Sequence, residues 1–112
     1  CMFDLLPVTK GHSLIIPTRH CADYFDLTEE EQSLCWKMVN ELKIILSEKF
    51  HPDGFNVGIN INEAAGQTVF HVHIHLIPRY KGDFINPYGG VRGFIPIMRD
   101  HSNKNKGNAN QI

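Results

Sequence analysis

The sequence predicts an α+β domain, an antiparallel β-sheet with one long helix packed on one of its faces. Three observations predict it. The stretch "QTVFHVHIHLIPRY", Gln67 to Tyr80, alternates apolar residues with histidines at the period of two that a β-strand shows. The stretch "LTEEEQSLCWKMVNELKIILSEKF" carries apolar residues at helical spacing for about six turns. The shorter runs "HSLIIP" and "FNVGIN" are bounded by Gly, Pro and Asn and read as further strands.

Taken in order, "HSLIIP", His12 to Pro17, follows a turn at Gly11 and is a short buried strand closed by its proline. The helix is expected over Glu29 to Phe50. Thr28 and Glu31 stand at the spacing of a capping box, and three glutamates in the first turn suit the positive end of the helix dipole. Leu34, Met38, Leu42 and Ile45, with Cys35, Val39 and Leu46 beside them, form the stripe expected to face the core. "HPDG" is turn chemistry, with His51 a loop residue, and "FNVGIN" after it is a strand. "NEAAG", Asn62 to Gly66, then links it to the histidine strand as a hairpin. In that strand Phe70, Val72, Ile74 and Leu76 are expected on the core face, with Pro78 ending the ladder because it has no N–H to donate. From Lys81 to Met98 the Gly- and Pro-rich chain reads as an extended arm, and residues 99–112 as a disordered polar tail in which His101 is idle.

Composition narrows the function. With 42% hydrophobic and 21% charged residues in 112, the chain fits one globular domain. A net charge of -1 supplies no basic field for general nucleic-acid or anionic-membrane binding, so a small ligand is expected. No apolar run approaches the length of a membrane span and no leader pattern is present, which points to a cytoplasmic protein. Cys1, Cys21 and Cys35 are odd in number and far apart, unlike a disulfide framework or a Cys-x-x-Cys zinc site. Beginning at Cys1, the sequence is expected to continue upstream.

His71, His73 and His75 share one strand face, pinned there by the apolar row on the other, since a one-residue slip would exchange the two. Three adjacent imidazoles are a costly way to build mere surface, because they repel when protonated and titrate near working pH. A metal site is one reading, since neutral imidazole is a common zinc ligand. Yet three alternate positions span about 13 Å, too far for all to reach one ion at about 2 Å, so a ligand from elsewhere would be needed. The other reading is a histidine nucleophile at phosphorus, flanked by imidazoles that orient it and manage protons. That reading needs an anion cradle, and "AAGQT" offers one: Gly66 lets backbone approach, while Gln67 and Thr68 offer amide, hydroxyl and N–H donors. The cradle favours the phosphate reading.

"HVHIH" followed by "LIP", with "FDLLPVTKGHSLIIPTRH" and "NINEAAGQTVF" before it, resembles the histidine triad family of nucleotide-binding hydrolases and transferases over about the first eighty residues. "IPRYKGD" is more similar to its bacterial and fragile-histidine-triad branches, and "NPYGGVRGFIP" to an arm of some bacterial members. The resemblance implies that His73 is the nucleophile, taking a nucleoside monophosphate as a phosphoramidate. By the same resemblance the His71 carbonyl accepts the other ring N–H of His73, His75 donates to the phosphate, and His12 manages protons. Asn60, Gln67 and Thr68 would contact phosphate or leaving group, Asp4 the ribose hydroxyls, and Leu5 the base.

Members of that family imply a domain over residues 1–98, here short of the helix and strands that usually precede "FDLLP", with its sheet extended across a homodimer and the arm near the partner's site. Asn62 stands where many relatives have Gly, and Met2 where an aromatic is common. The implied activity is that of a nucleotide phosphoramidase or dinucleoside polyphosphate hydrolase acting on a purine nucleotide or nucleotide conjugate. It requires no cofactor, although a divalent cation can accompany a polyphosphate. A silent nucleotide sensor that keeps the fold, or a His-ligated metal hydrolase, is the alternative.

Overall fold

The structure, a computed structural model, describes residues 2–3, 8–84 and 89–94. Asp4, Leu5 and the polar tail fall outside these residues. A four-stranded sheet, β1 (Met2–Phe3), β2 (Ser13–Ile15), β3 (Gly54–Ile59) and β4 (Ile74–Arg79), runs in the order β1-β2-β4-β3, every pair antiparallel. One helix, α1 (Glu29–Phe50), joins β2 to β3.

The N-terminus of α1 is held by side chains on both sides of its first turn. The Thr28 hydroxyl accepts from the Glu31 N–H at 3.1 Å, and the Glu31 carboxylate accepts from the Thr28 N–H at 2.8 Å. Arg19 grips the same carboxylate through Nε and Nη2, both at 2.9 Å, which ties the segment before the helix to its first turn. Hydrogen bonding from Arg19, and then from the Thr28 N–H, lowers the Glu31 pKa to about 2. The helix ends at His51, which takes the left-handed conformation at φ 50°.

Registers assign the faces. Ile74 lies opposite Ile15 and Ile59, and Leu76 opposite Ser13 and Val57, so these residues share the helix side of the sheet. Ile15, Ile74, Leu76 and Leu46 are essentially inaccessible, and with Cys35 and Val39 they form the core. His75 lies opposite Leu14 and Gly58 on the other face, together with Ile77, Arg79, Asn56 and Gly54. A smaller cluster of Cys21, Leu27 and Val72, with Tyr24 against it, lies beyond the end of the ladder.

Several sequence expectations are corrected here. The apolar stripe of α1 is rotated from the one expected: Cys35, Val39 and Leu46 are buried, whereas Leu34 and Ile45 are 60% and 57% exposed. The sheet is narrow and covers only one strip of the helix. Phe70 is 46% exposed rather than core. Pro78 does not end the ladder, because β4 pairs with β3 as far as Gly54 opposite Arg79. The Pro78 carbonyl accepts from the Thr9 hydroxyl, and N–H and C=O of one strand residue point to the same side. Its missing donor therefore faces the turn where β2 pairing has already stopped, and β3 loses nothing. Gly11 is forced twice over, by φ 90° and by a Phe50 ring carbon that would stand 2.8 Å from any Cβ there. The arm does not run extended throughout: Gly90–Phe94 is a short 3₁₀ turn lying against β3.

β3 and β4 are joined by a loop containing a 3₁₀ turn, Glu63–Ala65. The buried Gln67 side chain closes this loop, its Oε1 accepting from the Asn62 N–H at 2.7 Å. Asn62 itself has φ 68° and ψ 168°, which is not the left-handed helical region that Asn tolerates but one almost reserved for glycine.

Two stability outcomes follow. Leu46→Ala should cost about 2–5 kcal/mol in denaturant unfolding, and Leu34→Ala less than about 0.5 kcal/mol, because only the first empties a closed core site. Asn62→Gly should raise stability by about 1 kcal/mol, strain relief exceeding the added chain entropy of glycine. A lower midpoint for Asn62→Gly would mean that the loop carries no strain there.

Candidate active site

The antiparallel ladder starts at Ile74, later than the alternation suggests, since both β2 and β3 make their last pairing with it. His71 and His73 therefore precede the strand. The alternation continues without the ladder because Val72 is buried under Cys21 and Leu27 and its N–H donates to the Cys21 carbonyl at 2.7 Å. The three imidazoles stay on one side, half-buried. Freed from cross-strand pairing, the His71 carbonyl accepts from His73 Nδ1–H at 2.8 Å. This bond makes His73 the Nδ1–H tautomer and leaves the lone pair of Nε2 unengaged among the described residues.

The neighbouring rings are ordered in the same way. His12, buried at the start of β2, takes the Val8 N–H on Nδ1 at 3.2 Å and reaches His75 Nδ1 from its Nε2 at 2.9 Å. The His75 ring stands edge-on to that of His73, with centroids 5.0 Å apart. At the other end His71 Nε2–H donates to the Pro17 carbonyl at 3.0 Å, so its Nδ1 is an acceptor, and His20 Nδ1 lies 3.3 Å from it. Five of the seven histidines thus form one continuous row: His12, His75, His73, His71, His20.

His20 was missed by sequence reasoning. It lies 51 positions from His71, outside any periodic pattern, and only the fold joins them. The segment carrying it is bound to α1 through Arg19 and to the histidine segment through Pro17, Cys21 and Ala22.

Gln67 is placed differently from the expected phosphate contact. Its amide donates to the carbonyls of Ala22 at 2.8 Å and Val69 at 3.1 Å, so both N–H groups are spent on the loop. Thr68 and Asn60 are exposed near the two ends of the loop. Gly66, at φ 90°, has open space where a Cβ would stand, so the positive φ rather than crowding requires glycine. The buried Gln67 side chain thus closes the loop on itself and ties it to Ala22. Among the described residues no three His, Cys, Asp or Glu side chains converge on a point that could hold a metal ion. His71 in particular spends its ring on Pro17 and His20.

Comparison with known proteins agrees with this geometry. The family model described as "HIT domain" matches residues 1–82. "Protein hit" of Bacillus subtilis is 36% identical over 104 residues, covering 92% of this chain and 66% of that protein. The "Bis(5'-adenosyl)-triphosphatase" of Dictyostelium discoideum is 42% identical over 85 residues, covering 76% of this chain and 57% of its own length. The chain thus spans less than two thirds of either relative. A crystal structure of a HIT family protein from Bacillus anthracis superposes with a TM-score of 0.71 at 38% identity, covering 98% of this chain and 79% of that one. An antiparallel sheet with one long helix, a histidine row at the head of its central strand and this likeness over most of the chain agree: the chain belongs to the HIT domain family.

Proposed function

We propose that the domain is a hydrolase of nucleotide conjugates, in which His73 takes a nucleoside monophosphate from its substrate and passes it to water. One observation carries this reading. The His73 Nδ1–H is committed to the His71 carbonyl, which leaves the ring lone pair on Nε2. Nε2 attacks the α-phosphorus, the bond to the leaving group breaks, and its electron pair departs with that group. Water then attacks the same phosphorus, the P–N bond breaks and Nε2 recovers its lone pair. Charge that builds on the ring in the intermediate is met by the carbonyl already facing Nδ1.

The name of the Dictyostelium relative supports a dinucleoside polyphosphate as substrate, with the phosphoramidate of a purine nucleotide as the other candidate. In this reading Asp4 takes the ribose hydroxyls and Leu5 the base, Asn60 and Thr68 face phosphate oxygens, and Gln67 acts by holding the loop. A divalent cation can accompany the substrate's polyphosphate. The buried free thiols of Cys21 and Cys35 fit a reducing, cytoplasmic setting. No helix among the described residues is long and apolar enough to cross a membrane.

The domain is proposed to work as a two-fold dimer. β3 is an edge strand with one side unpaired within the described sheet, and Leu34, Ile44 and Ile45 leave an apolar strip of α1 uncovered. Light scattering at micromolar concentration should return twice the chain mass, and a monomer would refute the pairing.

His73→Ala should lower turnover of diadenosine triphosphate by several orders of magnitude while nucleoside monophosphate binding persists. Rapid quench should find an acid-labile nucleotidyl group on His73 alone. Near-normal turnover by the variant, or label on another residue, would sink the mechanism. Unchanged thermal stability of the intact protein in nucleoside monophosphates would favour another ligand class.

A further inference from the structure

At the end of the sheet away from the histidine row, β3, β4 and the Gly90–Phe94 turn border a cavity of about 300 Å³. Arg79, on its wall, is four residues beyond His75 on the same face, about 13 Å along an extended strand. The floor of the cavity is bare. Gly54 lies directly opposite Arg79, its φ is not positive, and beyond its chain neighbours no described atom stands within 4 Å of where a Cβ would be. Neither backbone conformation nor crowding calls for glycine there, and a strand glycine of that kind marks a place where something approaches the backbone closely.

Beside this floor the Arg79 guanidinium is bound round its edge. Nε and Nη2 donate to the two oxygens of Asp83, both at 2.8 Å, and Nη1 donates to Asn56 Oδ1 at 2.6 Å. Guanidinium N–H bonds point outward in the plane of the group, so these three occupy its rim and leave its flat face. The rim is not open to a free anion. Hydrogen bonding from Arg79, and then from the Tyr80 N–H, lowers the Asp83 pKa to about 2, so the carboxylate stays charged and in place. Two polar atoms at the cavity take no partner among the described residues: Asn56 Nδ2, a donor, and Asp53 Oδ1, an acceptor whose fellow oxygen takes the Lys81 N–H at 2.8 Å. The lining charges, Arg79 and Lys81 against Asp53 and Asp83, cancel.

We propose that this cavity is a binding site for a nucleoside, its purine ring stacked on the face of the Arg79 guanidinium over Gly54, with Asn56 and Asp53 meeting its polar groups. A flat face asks for a flat ring, and guanidinium stacks well on aromatic ones. Balanced lining charge suits a neutral ligand. The volume is at the lower end of small-molecule pockets, enough for one ring system with its sugar and not for a longer conjugate. The site is separate from the histidine row, and the proposal does not rest on the chemistry assigned to that row.

In the whole protein labelled with ¹⁵N, adenosine should move the Arg79 Nε–H and Asn56 Nδ2 signals to a saturating endpoint. The Arg79 proton should move upfield, because a proton over the face of an aromatic ring is shielded, whereas a new in-plane hydrogen bond would move it downfield. Inorganic phosphate alone should leave both signals in place. Arg79→Lys keeps the charge but loses the flat face, and adenosine binding followed at Asn56 should weaken by about tenfold or more, the scale of one lost base stack. Gly54→Val, whose side chain suits a strand, fills the floor and should weaken binding to a like degree while the Arg79 signal of the free protein shows the Asp83 bond intact. Stationary Arg79 and Asn56 signals in adenosine, a downfield Arg79 shift, saturation by inorganic phosphate, or unchanged affinity in Gly54→Val would overturn the proposal. If Arg79→Lys fails to fold, Gly54→Val decides the matter, since it leaves the bonds among Arg79, Asp83 and Asn56 untouched.

Discussion

The hydrogen bond from His73 Nδ1–H to the His71 carbonyl is the constraint on which the site depends, and it exists because the sheet stops in time. A carbonyl inside an antiparallel ladder is taken by the neighbouring strand at alternate positions, and a third strand takes the rest. β4 is flanked on both sides, yet both flanking strands make their last pairing with Ile74. Three residues before that point, at His71, the backbone is no longer paired in the sheet. The polar requirement of a main-chain carbonyl, which folding must answer in some way, is answered by a side chain two residues on.

The extended path must then be held by something other than the ladder. Val72 supplies part of this, burying its side chain under Cys21 and Leu27 while its N–H meets the Cys21 carbonyl. The rest comes from the segment around Pro17 to Ala22, which binds the His71 ring at one point and the Gln67 amide at another. Arg19, in the middle of that segment, is clamped to Glu31 on the first turn of α1. The helix thereby positions the site at a distance, through its cap and not through its buried face. An exposed ion pair contributes little to stability. Its value here is geometric, because it fixes the far side of the segment against which the histidines rest.

Much of this was legible in the sequence. The helix bounds were readable because Thr28 and Glu31 answer each other at a fixed spacing, and the structure places α1 at Glu29–Phe50. The shared side of His71, His73 and His75 was readable from alternation, which is a property of extended backbone whether or not it is paired. For the same reason alternation could not reveal where pairing stops. Leu34 and Ile45 were as apolar as the residues that became core, and only the width of the sheet decides which of them it covers. Gln67 has an amide that suits phosphate and backbone equally, and the nearness of Ala22 and Val69 is a tertiary fact. His20 has no local signal, because its partner lies on a different part of the chain.

Three rings of the row are each fixed by a main-chain atom: His12 by the Val8 N–H, His71 by the Pro17 carbonyl and His73 by the His71 carbonyl. Main-chain atoms are shared by all residues, proline's missing N–H excepted. Divergence at position 8 or 17 can therefore alter the side chain completely and leave the electronic state of the rings as it was, provided that the backbone path survives. The tautomers are inherited through the fold and not through the letters beside the histidines. Drift at these positions is consequently a poor guide to whether the chemistry has drifted with it.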